Sequence, residues 1–265
     1  MEQKPDPMKY IERRLEHKPP QAIVELALKK LETPLKKVQY KKEGTIKIIT
    51  EEFRLEFSYR QVSPESDLNN MIKMDYEAFY NAIMIQSQLT QWRVLTDFRI
   101  TDKSGNVVFD IKKELPGYII FFHIIDKKQN KDKEQKQSSA NPEARYIMIR
   151  GDISTPATIL ALLHETGHCK EYEESDEFEK RTFDRYHKEL RIGGSLSAET
   201  LAKVLKRERD AWAYALRKIR PILGKTIPKD DVLTYIHGYA LLSYSEEIRR
   251  KIEEGLFEFD WSEAL

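Results

Sequence analysis

The segment STPATILALLHETGH, residues 154–168, carries the strongest local signals in this chain of 265 residues. Thr155 is a favourable N-cap, and Pro156 follows at the first helical position, where its missing N–H costs no hydrogen bond. An apolar run then leads to two histidines four positions apart. We therefore predict a helix over residues 156–173.

His164 and His168 project from one face of this helix, about 40° apart, because an α-helix turns once every 3.6 residues. Both imidazoles can therefore reach a single ion, and Glu165 points toward its open coordination position. With this composition a His-acid-x-x-His match is expected by chance about 0.02 times, so chance is a poor explanation. Zinc suits two imidazoles and keeps one position for water at a catalytic site. Glu165 is then the general base.

A catalytic zinc site needs a third protein ligand, which we expect on a helix predicted over 197–220. The buried stripe of that helix includes one acidic position, Glu208, whereas Asp210 falls on the polar side. Burying an unpaired carboxylate is costly, so Glu208 is predicted to bind the ion. A salt bridge to a nearby arginine is the alternative for Glu208. Glu171, on the face of the two histidines, is an alternative ligand.

The motif HETGH (164–168), followed by ERDAW (208–212), resembles the HExxH…ExxA pattern of gluzincin-type zinc metallopeptidases, the thermolysin-like clan in the broad sense. The resemblance covers residues 145–220. It implies two His ligands and a Glu ligand, the HExxH Glu as base, and an edge strand that binds an extended peptide. Tyr146–Arg150 is the implied edge strand, with an ordinary covered strand as the alternative. At Trp212 the chain departs from the pattern, because thermolysin-like enzymes have Asp there, so the groups that orient the histidine rings are unidentified.

Such an enzyme also needs a donor for the oxyanion that forms on the scissile carbonyl. His237, on a helix predicted over 229–242, is our choice because it follows the third ligand along the chain. A core or surface histidine is the alternative. The weaker candidates are Tyr214, Tyr235 and Tyr239. No functional role is expected for His17, His123 or His187, and we expect His123 to be packed and hydrogen-bonded. Cys169 is expected to be a small buried residue, with a reactive thiol as the alternative.

The chain as a whole predicts an α+β, zincin-like fold with a small, mostly antiparallel sheet, an active-site helix and a C-terminal helical subdomain. Residues 1–66 are expected to form an N-terminal α/β extension and residues 67–265 the catalytic domain. The remaining predicted elements are two helices within 7–32, strands at 45–49 and 53–59, a helix at 67–88, a hairpin at 92–112, strands at 118–125 and 145–150, and helices at 176–190, 229–242 and 244–254. The strand at 118–125 is expected to be buried on both faces. A mobile loop is predicted at 127–143, and its basic part, 127–136, is a possible lid or a solvated surface loop.

Composition argues against several other classes of protein. The net charge is +1, from 45 basic and 44 acidic residues, and no helix-turn-helix is visible, so direct nucleic-acid binding is not expected. The chain has neither a signal-peptide pattern nor a long apolar run, and its single cysteine allows no intramolecular disulfide. We therefore expect a cytoplasmic zinc metallopeptidase that acts on an intracellular protein or peptide, without a membrane. A catalytically weak zincin-like binding or regulatory protein is the alternative.

Overall fold

The computed structural model has an α+β fold in which helices cover both faces of one mixed sheet. It describes residues 7–35, 38–41, 44–72, 76–123, 138–181, 194–196, 198–254 and 257–259. The helices within these ranges include α1 (Pro7–Glu16), α2 (Gln21–Leu31), α3 (Asn69–Ile72), α4 (Tyr76–Ser87), α5 (Ile111–Glu114), α6 (Pro156–Glu174), α7 (Ala198–Ile219), α8 (Lys229–Tyr235) and α9 (Leu241–Glu253). The strands include β1 (Val38–Lys41), β2 (Thr45–Ile49), β3 (Phe53–Gln61), β4 (Trp92–Asp102), β5 (Val107–Asp110), β6 (Ile119–His123), β7 (Ser139–Asn141), β8 (Tyr146–Arg150), β9 (Gly194–Leu196) and β10 (Phe257–Phe259).

The main sheet has the strand order β1-β2-β3-β4-β6-β8-β7, and β5 is an additional partner of β4. Its neighbouring strands are antiparallel, except for β6 and β8, which run parallel. A separate parallel pair is formed by β9 and β10. The predicted α+β class is therefore confirmed, and the sheet is mostly antiparallel as expected.

The boundary predicted at residue 66 falls between two strands of this sheet. β3 and β4 pair along their length, from Phe53 opposite Asp102 to Gln61 opposite Arg93. Strands β1–β3 of residues 1–66 and strands β4–β8 of residues 67–265 therefore form one continuous sheet. The division into an extension and a catalytic domain stays a prediction.

The central strands are buried on both faces, because successive side chains of a strand point in opposite directions. In β6, Ile120 and Phe122 contribute to the larger apolar core, which α6 also joins. Phe121, between them, contributes to a second core on the other face, beneath α4. The prediction of a strand covered on both sides is confirmed for the described part of 118–125.

The sheet edge next to β8 is occupied by β7. This short strand pairs antiparallel with β8, placing Ser139 opposite Met148 and Asn141 opposite Tyr146. The prediction that Tyr146–Arg150 is the edge strand is therefore wrong, and the alternative of a covered strand is correct. Within the loop predicted at 127–143, residues 139–141 form a strand despite their low strand propensity, because pairing with β8 determines their conformation.

Most other predicted elements are present. α1 and α2 occupy the segment predicted to hold two helices, and β2 and β3 begin at the predicted residues, Thr45 and Phe53. β1 is an addition that the sequence does not predict. The helix predicted over 67–88 is instead a π-helical turn, Pro64–Leu68, followed by α3 and α4.

The C-terminal helices differ from the prediction in where they are interrupted. α8 continues through a π-helical turn, Ile236–Ala240, directly into α9, with no break near residue 243. A π-helical turn accommodates about one extra residue, so it rotates the side chains that follow relative to those before it. A constant period of 3.6 residues therefore predicts incorrectly which side chains before and after this turn share a helix face.

Three predictions concern residues outside the described ranges, namely most of the helix at 176–190, the basic segment 127–136, and His187. Across the described residues, none of the helices combines the length and the apolar composition that crossing a lipid bilayer requires.

An ion pair with a buried carboxylate joins the end of β3 to the turn that precedes α3. Asp67, which is 2% exposed, accepts two hydrogen bonds of 2.6 Å from Arg60 and one of 2.8 Å from the N–H of Ser63. Burial alone would raise the pKa of Asp67, but these hydrogen bonds lower it below its usual value. The ionised carboxylate therefore stabilises the folded chain.

We predict that Asp67→Ala lowers the free energy of unfolding by about 1–3 kcal/mol at pH 7, measured by urea denaturation. The difference from wild type should shrink below about pH 4, where the unfolded Asp67 binds a proton before the folded one does. Glu65→Ala, on the exposed side of the same turn, is the control and should change stability by less than about 0.5 kcal/mol. Equal losses in both variants would contradict this role for Asp67.

Candidate metal centre

The helix that carries the two histidines is buried along most of its length. Its start is as predicted, because Thr155 Oγ1 accepts a hydrogen bond of 3.3 Å from the N–H of Thr158 and Pro156 is the first helical residue. Buried side chains lie on every face of its central turns, as expected for a helix that runs through the interior. His164 and Glu165 are consequently held inside the molecule at 8% and 7% exposure.

α6 and α7 cross at two small residues, Gly167 and Ala211. A Cβ atom placed on Gly167 would lie 2.9 Å from the Cα and 3.0 Å from the carbonyl oxygen of Ala211, closer than side chains normally approach backbone. The helices can therefore come this near only because residue 167 is glycine. Glu208 lies one turn before Ala211 on α7, so the close crossing brings it to the histidines of α6.

The side chains of three predicted ligands converge between these helices. His164 Nε2 and His168 Nε2 lie 3.1 Å apart. Glu208 Oε2 is 3.5 Å from His164 Nε2, and Glu208 Oε1 is 3.3 Å from His168 Nε2. The three predicted ligands are thus brought together, and the group they form could hold a metal ion.

These separations fit a small divalent ion. Ligand atoms bound to tetrahedral zinc at about 2.0–2.2 Å lie about 3.3–3.6 Å from one another. Each histidine nitrogen lies at such a distance from one oxygen of Glu208, and the two nitrogens are slightly closer together, at 3.1 Å. Two imidazole nitrogens and a carboxylate oxygen are also a donor set that zinc accepts. The residues therefore fit such an ion in both geometry and chemistry.

Burial and charge determine how the three groups hold protons. Burial, with a smaller effect of the neighbouring His168, lowers the pKa of His164 to about 3, so its ring is neutral around pH 7. Burial also acts to lower the pKa of His168, but the Glu208 carboxylate outweighs it and raises that pKa to about 9. A proton on His168 thus balances the charge of Glu208, and a divalent cation among the three groups would displace it.

Glu165 is the remaining acid of the motif. Its burial raises its pKa to about 7; the nearby Glu208 acts in the same direction and His168 in the opposite one. A carboxyl group with a pKa near neutrality can both accept and return a proton around pH 7. The role of Glu165 as general base stays a prediction.

Trp212 stands where the related motif has an acidic residue. Its indole stacks on the imidazole of His164, with ring centroids 4.1 Å apart and ring planes 23° from parallel. The Nδ1 atoms of His164 and His168 are buried, and neither has a hydrogen-bond partner within the described part of the chain. From the sequence Trp212 is only one member of an apolar stripe, and no signal there marks its contact with the ligand ring.

The alternative acids have other surroundings. Glu171 pairs with Arg207 at 3.6 Å, and Asp210 pairs with Lys206 at 3.1 Å on the exposed side of α7. The polar orientation predicted for Asp210 is confirmed. Glu171, the alternative third ligand, does not belong to the converging group.

His237, the predicted oxyanion donor, lies on the π-helical turn and faces α1. It lines a cleft of about 410 Å³ together with Arg14 and His17, and burial and the charge of Arg14 lower its pKa. Its catalytic role stays a prediction. Tyr235, on α8, is more closely connected to the centre, because its ring lies edge-on to Trp212 with the centroids 5.8 Å apart. Burial is the main reason that the pKa of Tyr235 is raised.

The other singled-out residues have structural contacts. His123 is hydrogen-bonded to Gln91 at 2.9 Å and lies edge-on to Trp92, which confirms that it is a packed, hydrogen-bonded histidine. Cys169 is fully buried, as predicted. Tyr214 donates a hydrogen bond of 2.8 Å to Glu114, which links α7 to α5.

Comparisons with known proteins identify no relative. No protein-family model, curated protein sequence or solved structure matches the chain significantly. The resemblance to gluzincins therefore rests on the motif residues of the sequence and stays a prediction.

We predict that Gly167→Ala forces α6 and α7 apart and lowers the free energy of unfolding by about 1–3 kcal/mol, measured by urea denaturation. The clash is with backbone of Ala211, which cannot move aside as a flexible side chain could. Ala161→Ser, at a partly exposed position of α6, is the control and should change stability by less than about 0.5 kcal/mol. A Gly167→Ala protein as stable as wild type would refute the close crossing.

Proposed function

We propose that this chain is a zinc-dependent hydrolase, specifically a peptidase related in mechanism to the gluzincins. The observation that carries the proposal is the convergence of His164, His168 and Glu208 in the interior, next to the buried carboxyl group of Glu165. A divalent cation among the three ligands would interact favourably with the Glu208 carboxylate and with the two imidazole nitrogens.

The residues divide into those that hold the ion and one that moves a proton. His164, His168 and Glu208 would hold zinc, which when bound supplies an acidified water and a positive charge for the developing oxyanion. The carboxylate of Glu165 accepts the proton of the attacking water. It then delivers that proton to the nitrogen that leaves when the peptide bond breaks.

The arrangement around the site supports a peptide as substrate. Among the described strands of the main sheet β7 is the last, and it lies against α6, the helix that carries Glu165. An extended peptide can add to a sheet by pairing with the backbone of its outermost strand. In this proposal β7 takes the substrate-pairing role that the resemblance assigns to Tyr146–Arg150, within a zincin-like arrangement of sheet, motif helix and third-ligand helix.

A second candidate function is a zincin-like binding or regulatory protein with little turnover. The observation that favours it is the limited exposure of the site, because the side chains of His164, His168 and Glu208 are only 10%, 12% and 18% exposed. A reacting carbonyl needs direct access to the ion, whereas a structural metal does not.

The metal site is tested by Glu208→Ala. We predict about one zinc per chain in the purified, dialysed wild type, and less than half of that in the variant, because one of three protein ligands is lost. The measurement is elemental analysis against protein concentration. Asp210→Ala, two residues away on the exposed side of α7, is the control and should retain the wild-type zinc content. Full zinc in Glu208→Ala would exclude Glu208 as a ligand.

The catalytic proposal is tested by Glu165→Gln with a library of fluorescence-quenched peptides. Its kcat/KM should fall by at least about 100-fold, because glutamine cannot accept the proton, while its zinc content stays at the wild-type level. Glu174→Gln, at the exposed end of the same helix, is the control and should keep the wild-type rate. Unchanged hydrolysis in Glu165→Gln would exclude it as the base. A zinc-loaded wild type that cleaves nothing would favour the binding function.

A further inference from the structure

We propose that Trp212 is a positioning residue that fixes the ring of His164 by stacking, in place of the hydrogen bond that metal-binding histidines usually make through their second nitrogen. This inference rests on the proposed metal centre and concerns how that centre is kept in shape. It assigns a role to a residue at which the chain departs from the gluzincin pattern.

A histidine ligand needs something to hold its ring. Rotation about the Cβ–Cγ bond of histidine is only loosely restricted, and it moves Nε2 away from the point at which the ligands meet. Metal-binding histidines are therefore usually oriented by a hydrogen bond from the other ring nitrogen to a carboxylate, a carbonyl group or water. The Nδ1 atom of His164 is buried and has no such partner among the described residues.

Trp212 supplies the restriction that this hydrogen bond would provide. Its indole covers one face of the imidazole at 4.1 Å and nearly parallel, so the ring of His164 cannot turn out of its plane without meeting the indole. Stacking leaves the in-plane nitrogen Nε2 free to face Glu208, which lies 3.5 Å away.

The indole is itself held in place. Trp212 is 6% exposed within the larger core, and the ring of Tyr235 lies edge-on to it at 5.8 Å. Trp212 also follows Glu208 by four residues on α7, so both project from the same side of that helix. α7 therefore provides both the third ligand, Glu208, and the indole of Trp212 that aligns His164.

The experiment compares zinc affinity in the full-length wild type and three variants, by competition with a chromophoric chelator. Trp212→Leu keeps an apolar side chain without an aromatic plane and should raise the Kd for zinc by about 10- to 100-fold, the usual effect of removing an orienting group. Trp212→Phe keeps a ring over His164 and should lose less. Ile219→Ala, at a buried position two turns further along α7, is the control for lost core contacts and should change the Kd by less than about twofold.

Cobalt substitution provides a readout that a purely structural role would not alter. The visible absorption of bound Co²⁺ depends on ligand geometry, so the spectrum of Trp212→Leu should differ from that of the wild type, and the spectrum of Ile219→Ala should not. Wild-type affinity and an unchanged cobalt spectrum in Trp212→Leu would overturn the proposal. Equal weakening in Trp212→Leu and Ile219→Ala would overturn it as well, because general core loss would then be the cause.

If Trp212→Leu does not fold, tryptophan fluorescence of the wild type tests the stacked arrangement instead. The chain has three tryptophans, and the emission that Trp212→Phe lacks belongs to Trp212. Adding Co²⁺ should quench that emission, because the indole lies against a ligand ring; its persistence at full cobalt loading would overturn the stacked arrangement. A wild type that binds neither zinc nor cobalt refutes the metal centre itself, whereas a zinc-binding wild type with an unaffected Trp212→Leu refutes only the role of Trp212.

Discussion

The carboxylate of Glu208, held in the interior between two imidazoles, is the constraint on which this structure depends. A negative charge in such a place is stabilised by a proton or a cation, and the Nε2 nitrogens of His164 and His168 lie 3.5 and 3.3 Å from its oxygens. The close crossing of the two helices at Gly167 brings the carboxylate to these rings. The chemistry we propose follows from the same balance of charge.

The helix that carries Glu208 is fixed at several points along its length. Near its middle, Ala211 lies against Gly167 of α6, and near its end Tyr214 and Lys218 both contact Glu114 of α5. Its first turns pack on α1 and α9 in a separate small core. The third ligand is thus positioned from the sheet on one side and from the N-terminal helix on the other, as the precise alignment of a metal site requires.

The sequence predicts those features that local periodicity and charge determine. The start of α6 at Thr155 and Pro156, the shared face of its histidines and the buried acidic position at Glu208 can all be read from short segments. Pairings between distant segments cannot, and so Ser139–Asn141 appears as a loop although β8 makes it a strand. The orientation of His237 cannot be predicted from helical periodicity either, because the π-helical turn changes the phase of the helix at that residue. Trp212 shows a third limit, because a hydrophobic stripe does not distinguish a core residue from one that aligns a ligand.

The placement of the ligands on two helices has a consequence for folding. His168 and Glu208 are 40 residues apart in the chain, so an ion bound to both closes a loop of that length. A cross-link of this kind reduces the conformational entropy of the unfolded chain, and its effect grows slowly with loop size. The metal would therefore cross-link α6, which packs on the sheet, to α7, the first of the C-terminal helices. Removing it would lower the free energy of unfolding, because the unfolded chain would regain that entropy.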